Sequence, residues 1–261
     1  QAIRNSVGGY GTQSTISGGQ NLSVNLTPSL RQSGFSLGKL TYGDGAILTV
    51  NDQSITAAEP SLTLLDESLW KTNGKAYWFA PGVVSVTYPT NNYTGTVYSK
   101  SQYRLANSWT ISFDYYIGGK TSAPPADGFS LTLQPISSSE AGTQLQGSLP
   151  TREVSIGWRY YEGGLVTSQL MISTNRVVTK ISTNIAPVDL VNKGPAHMVL
   201  VHDSVAKTIH LTVTQTNATY TYTFANIDIA TALGTLDAYV GFTGYVGGLY
   251  AQNLISNFSM D

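Results

Sequence analysis

Nearly every patterned stretch of this chain repeats with a period of two. Trp109-Thr110-Ile111-Ser112-Phe113-Asp114-Tyr115 alternates strictly between bulky apolar and small polar residues, and a strand sends successive side chains to opposite faces. His197 to Val201 and Thr208 to Thr214 are β-branched runs, and Tyr220-Thr221-Tyr222-Thr223-Phe224 puts its aromatic rings on one side. These runs are short, recur about every ten residues and are bounded by Gly, Pro and Asn, which is how antiparallel sheets read. Only Ile229 to Leu233 reads as helix. The pattern predicts an all-β chain, an antiparallel β-sandwich or jelly roll of two stacked sheets. Asp203-Ser204-Val205-Ala206-Lys207 joins two such runs as a hairpin turn, with Asp203 in the opening position where its side chain caps the backbone.

The 261 residues suit one large sandwich domain. Residues 1 to 34 differ from the rest: Gly8-Gly9, Gly18-Gly19 and a Ser/Gln-rich background predict an N-terminal extension packed on or flanking a domain that runs from 35 to 261. Charged residues make up 11% and the formal net charge is −1, so no basic field is present to hold nucleic acid or acidic lipid. No apolar run reaches the roughly 20 residues of a membrane helix, so no membrane insertion is expected. Cysteine is absent, which removes disulfides and thiolate metal ligands alike. Polar residues are mostly Ser, Thr, Asn and Gln, a composition that suits a secreted or cell-surface protein and neutral, wet ligands.

One segment carries a positioned acid. In Pro124-Pro125-Ala126-Asp127-Gly128-Phe129-Ser130-Leu131-Thr132-Leu133 the prolines fix φ, Gly128 frees the backbone beside Asp127, and Phe129, Leu131 and Leu133 then share one face of a strand. A lone carboxylate is thereby aimed outward at the rim of a sheet. That is a ligand-binding geometry, although this segment alone fits an ordinary turn carboxylate slightly better.

Several segments taken in order resemble the legume-type (L-type) lectins, a sandwich family with concanavalin A-like topology. Leu40-Thr41-Tyr42-Gly43-Asp44-Gly45-Ala46 is similar to the family's early Gly-Asp-Ala strand. Gly95 to Arg104-Leu105 resembles its "ALYSSPVRLW" stretch, and Pro125 to Phe129 its sugar-binding "PADGLAF" loop. Val199 to Asp203 with Lys207 resembles the "ITYDSSTK" hairpin, and Val240-Gly241-Phe242-Thr243-Gly244 leading to Ile255-Ser256-Asn257-Phe258 its closing strands. Each motif alone is weak, and the ordered set is not.

The resemblance breaks where the family binds metal. Its V-x-V-E-F-D-x-Y-x-N strand and H-x-G-I-D-V-N strand supply a calcium and a transition-metal ion; here Val154 to Tyr161 and Gln169 to Asn175 stand in their place, with Gly157 for Glu, Arg159 for Asp and Gln169 for His. Hard cations need several oxygen ligands and a transition metal wants imidazole, so no metal or other cofactor is expected. In the family the calcium site supports a cis peptide before the sugar-binding aspartate. Without it, Ala126-Asp127 must be held some other way or lie trans, and Arg159, a cation on a former metal-ligand position, is a candidate support; a rim cation paired with Glu162 or Glu153 is the alternative.

The resemblance implies a glycan or glycoprotein as partner and a site built from Asp127 and Gly128, a backbone N–H near Gly142, and the loop Gly244-Tyr245-Val246-Gly247-Gly248-Leu249-Tyr250, of which Gly244, Tyr245, Val246 and Tyr250 are the candidate contacts. Tyr161 or Trp158 would form the stacking wall, and Glu162 or Gly163 replaces the family's asparagine. Glycoside hydrolases share this topology, but they need two carboxylates about 5 to 9.5 Å apart. Glu153 and Glu162 fall on opposite faces if one regular strand connects them. His202 and His210 read as decoration on the outer face of their hairpin. The expected function is non-catalytic, calcium-independent glycan binding; the alternative is a structural or adhesive surface protein that binds protein or self-assembles, and a homo-oligomer is compatible with both.

Overall fold

The computed structural model describes residues 66–140, 152–162, 165–191 and 194–261, together with short strands between residues 14 and 63. It divides into two compact units, residues 1–59 and 60–261. The division falls after Glu59, whereas the change in composition falls after residue 34. The first unit holds β1 (Ser14–Ile16), β2 (Asn21–Val24), β3 (Leu40–Tyr42), β4 (Ile47–Val50) and β5 (Gln53–Thr56). β1 pairs parallel with β3 and β2 parallel with β4, in register Ser14↔Leu40 and Asn21↔Ile47. Both pairings hold the same offset in sequence, and residues recur across it: Thr15, Gly19, Leu22, Val24 and Asn25 return as Thr41, Gly45, Leu48, Val50 and Asn51. A short internal repeat stacked strand on strand is the simplest parallel architecture. The segment Leu40 to Ala46, likened above to an early lectin strand, belongs to this unit.

The second unit is the sandwich. Its elements are β6 (Leu62–Thr63), β7 (Trp70–Gly74), β8 (Tyr77–Ala80), β9 (Val83–Ser85), β10 (Tyr93–Ser99), β11 (Tyr103–Arg104), β12 (Trp109–Thr121), β13 (Gly128–Gln134), β14 (Val154–Glu162), β15 (Leu165–Thr174), β16 (Val177–Ser182), β17 (Ala196–Asp203), β18 (Thr208–Gln215), β19 (Ala218–Phe224), α1 (Ile229–Leu233), β20 (Asp237–Val246) and β21 (Ala251–Met260). One sheet runs β16-β15-β14-β13-β20-β10-β7, the other β19-β18-β17-β12-β21-β9-β8. Every strand pairing in this unit is antiparallel. Among the described residues no helix is long and apolar enough to cross a membrane.

Between the sheets the alternating residues meet. Tyr115, Phe129 and Trp158 stack face to face, with centroids 4.0 and 5.0 Å apart, and Phe113 sets its edge on Phe242 at 4.8 Å. β13 lies at the centre of its sheet and is buried on both faces. Its inward side carries Phe129, Leu131 and Leu133. On the other side Ser130 bonds Thr243 at 2.6 Å and Thr132 bonds Ser155 at 2.9 Å, which satisfies the buried hydroxyls.

α1 occupies the span expected of it, opened by Asp228 as N-cap and closed by Gly234 at φ 69°. Asp203 accepts the N–H groups of Val205 and Ala206 at 2.9 and 2.8 Å, the predicted turn cap. His202 departs from expectation. It is buried and stacked on Trp109 at 5.0 Å, because it shares strand parity with the buried Met198 and Leu200; burial lowers its pKa and favours the neutral ring. His210 is exposed as expected, bonded to Thr223.

Candidate carbohydrate site at the sandwich rim

The rim where β13, β14 and β20 meet is organised around Asp127. Gly128 pairs with Arg159 on one side and Tyr245 on the other, so the acid sits one residue outside the sheet between two neighbouring strand ends. The Ala126–Asp127 peptide is cis. Both main-chain groups of Asp127 are bonded: its N–H donates to the Tyr245 carbonyl at 3.3 Å and its carbonyl accepts Tyr160 N–H at 3.0 Å. The carboxylate is half-buried, and its Oδ2 accepts the N–H of Gly247 at 2.8 Å. Among the described residues no group bonds Oδ1, which leaves one acceptor oxygen for a ligand hydroxyl. A Cβ on Gly247 would lie 3.2 Å from Oδ2 and 3.3 Å from the Tyr245 hydroxyl, so glycine is what lets this backbone come close. A Cβ on Gly128 would collide with the Trp158 carbonyl oxygen.

Beneath the loop lies a buried polar hub that the sequence did not reveal. Asn253, fully buried, accepts the hydroxyls of Tyr115, at 2.9 Å, and Tyr160 on its Oδ1. Its Nδ2 donates to Thr87 Oγ1 at 3.1 Å and reaches the Gly128 carbonyl at 3.4 Å. Thr87 Oγ1 in turn accepts the Asn253 N–H at 2.8 Å and donates to the Ala251 carbonyl at 2.6 Å. Burial holds both phenols well above their ordinary pKa, so both remain donors. Ser122 ties the other end of the loop: its hydroxyl lies 2.6 Å from the Pro124 carbonyl and accepts Tyr250 N–H at 2.9 Å, while its own N–H donates to the Tyr250 carbonyl at 2.9 Å.

Arg159 sits beside the loop, in register with Gly128 and, across β14 and β15, with Gln169. Its Nε donates to the Tyr161 carbonyl at 3.1 Å. Burial pushes the Asp127 carboxyl above the usual carboxylate range; the Gly247 N–H, and after it the Arg159 charge, pull it back. Glu162 pairs with Leu165, so only Gly163 and Gly164 separate the two strands where the lectin family has its metal loop. Among the described residues no cluster of three His, Cys, Asp or Glu side chains is placed to hold a metal ion.

The other candidates divide. Tyr161, Tyr245 and Tyr250 are partly exposed; the Tyr245 backbone bonds Asp127 and that of Tyr250 bonds Ser122 at the other end of the loop. Gly244 and Val246 are buried within β20, behind the rim; a Cβ on Gly244 would meet Thr87 Cγ2 at 2.6 Å. Trp158 is fully buried in the aromatic stack and forms no stacking wall for a ligand. Gly142, Gly163 and the side chain of Glu162 lie outside the described residues. Glu153 is buried, its Oε1 accepting Ser173 Oγ at 2.6 Å and Arg176 N–H at 3.1 Å. It stands just before β14 and Glu162 ends it, about 30 Å apart at strand rise, too far for a hydrolytic pair. The bulge between Arg159 and Tyr161 breaks the regular parity assumed from sequence.

The fold matches that of solved lectins. The basic winged bean lectin with Tn-antigen superposes with TM-score 0.64 at 21% identity, over 78% of this chain and 98% of its own. The fold is that of the legume-type lectins. A lectin from Bauhinia forficata in complex with GalNAc gives TM-score 0.64 at 18% identity, over 78% and 97% of the two chains. Arcelin-5 from Phaseolus vulgaris, described as a lectin-like defense protein, gives 0.65 at 14%, over 78% and 98%. No protein-family model matches the sequence, and no curated protein matches it. The lectin fold is therefore present at sequence identities that fix architecture alone.

Two outcomes follow from the site. Asn253→Leu keeps the volume and removes the acceptor of the buried Tyr115 and Tyr160 hydroxyls; we expect a loss of about 2 kcal/mol in denaturant unfolding. Asp127→Asn removes an acid whose pKa is raised by folding. Such a group favours the folded state when protonated and loses that contribution as pH rises from about 3.8 through the raised value. At neutral pH the variant should therefore melt at the wild-type temperature or above it, and a clearly lower melting temperature would contradict the site as described.

Proposed function

We propose that this protein binds glycans without catalysis and without calcium, through the rim around Asp127. The observation that carries this reading is the Asp127 carboxylate itself, half-buried, fixed by Gly247 on one oxygen and, among the described residues, without a bond to the other. An ionised acceptor can take a sugar hydroxyl in a charge-assisted hydrogen bond, the partly exposed Tyr161, Tyr245 and Tyr250 offer apolar faces to the C–H side of a ring, and the Asn253 hub supplies support that calcium gives elsewhere. The likeness to lectins solved with Tn-antigen and GalNAc supports the same chemistry. We place the protein outside the cell, secreted or at the surface, where such ligands are displayed.

A second reading rests on the sheet edge. β19 ends its sheet, and among the described residues nothing pairs with its outer side. Its sequence Thr219-Tyr220-Thr221-Tyr222-Thr223 reads the same in both directions and carries no charge. Antiparallel pairing of two copies about Thr221 would set Thr against Thr and Tyr against Tyr, the self-complementarity a two-fold interface needs, and natural edges without charge or proline invite such pairing. In this reading the fold serves assembly or adhesion.

Screening the protein on a glycan array in EDTA and again in calcium, beside Asp127→Asn, decides the first reading. Equal binding in both buffers, weakened by Asp127→Asn by roughly 1.5 to 3 kcal/mol, is the expected result; calcium-dependent binding or an unaffected variant would overturn it. Light scattering of wild type and Thr221→Lys tests the second. A dimer that the lysine dissociates supports edge pairing, and a monomeric wild type at high concentration ends it.

A further inference from the structure

Beyond Val246 the rim continues into an aromatic cluster that the site above does not use. Tyr93 pairs with Val246 while Gly128 pairs with Tyr245, so Tyr93 stands two strands across the sheet from the acid's neighbour, a span of about 10 Å. Tyr88 meets Tyr93 edge to face at 6.2 Å and Tyr77 at 5.7 Å, and Lys75 Nζ lies 5.0 Å from the Tyr93 ring centre. Tyr88 is 44% exposed.

The cluster is mechanically joined to the acid. Asn92 N–H donates to the Gly247 carbonyl at 2.8 Å, and the N–H of the same Gly247 holds Asp127 Oδ2. Tyr88 directly follows Thr87, a member of the Asn253 hub. Tyr77 receives Gln252 Nε2 on its hydroxyl at 2.6 Å, next to Asn253 in sequence. Thus the rings are held by residues adjacent to those that hold the carboxylate, and Tyr88 remains partly open to solvent.

We propose that this cluster is a second subsite, taking the C–H face of a further pyranose ring of an oligosaccharide whose first ring sits at Asp127. The proposal rests on the glycan-binding reading and specifies its ligand class: chains of at least two sugars. An exposed, immobilised tyrosine face suits the apolar side of a sugar ring, Lys75 is placed to donate to its hydroxyls, and the span from the acid requires a ligand longer than one ring.

An array carrying monosaccharides and the di- and trisaccharides that extend them tests this, probed with wild type, Tyr88→Ala, Tyr88→Phe and Asp127→Asn. Tyr88 is exposed, so its variants should fold as wild type. We expect wild type to prefer an oligosaccharide over its terminal monosaccharide. Tyr88→Ala should reduce oligosaccharide binding roughly three- to tenfold with the monosaccharide unchanged, Tyr88→Phe should retain it, and Asp127→Asn should lose both. If Tyr88→Ala leaves the preference intact, or wild type shows none, the subsite is wrong while the Asp127 site stands. Loss on Tyr88→Ala with Asp127→Asn indifferent, or no binding of any sugar, would instead overturn the Asp127 site and the subsite with it.

Discussion

One carboxamide holds this rim together. Asn253 is fully buried, takes two tyrosine hydroxyls on its oxygen and reaches Thr87 and the Gly128 carbonyl with its nitrogen. A buried amide is tolerated only when its donors and acceptors find partners. Here those partners belong to β12, β13, β14 and the segment just after β9, so satisfying one side chain fixes the relative positions of both sheets just below Asp127. Phe129 completes the arrangement: stacked between Tyr115 and Trp158, it anchors the strand that begins one residue after the acid.

Much of the architecture was legible because strand parity is a local property. The alternation in Trp109 to Tyr115 and the β-branched runs near His197 and Thr208 fall in β12, β17 and β18, and the turn at Asp203 follows from side-chain geometry within three residues. His202 could have been placed inward by the same parity as Met198 and Leu200; imidazole polarity argued the other way and the stack on Trp109 outweighed it. The hub was not legible. Asn253 lies 125 residues from Gly128, and nothing local in Ala251 to Leu254 distinguishes a buried amide from an exposed one. Asp127 was found because its local signals, two prolines and a glycine, sit beside it. Gly247 was legible only as part of a loop, since its role depends on where a distant carboxylate comes to rest.

The abundance of Ser and Thr also carries a different meaning in three dimensions. On composition alone these residues suggest wet surfaces, yet Ser130, Thr132, Ser155 and Thr243 form a bonded row buried within the sheet. Neighbouring strands supply each hydroxyl with a partner, so the residues serve register as well as solubility.

The acid at the centre is the part that packing does not explain. Burial raises its pKa, and neither the Gly247 N–H nor the more distant pull of Arg159 restores the ordinary value. An ionised carboxylate kept partly out of water lowers the stability of the fold at neutral pH. A turn that needed only an N–H acceptor at this place would be served by an amide without that penalty. Retaining the charge, with one oxygen bound and the other open, makes sense when the open oxygen meets a donor from outside the chain. Around it, glycine stands where the backbone must approach, and a neutral, well-bonded scaffold positions the carboxylate while, among the described residues, leaving its second oxygen without a bond.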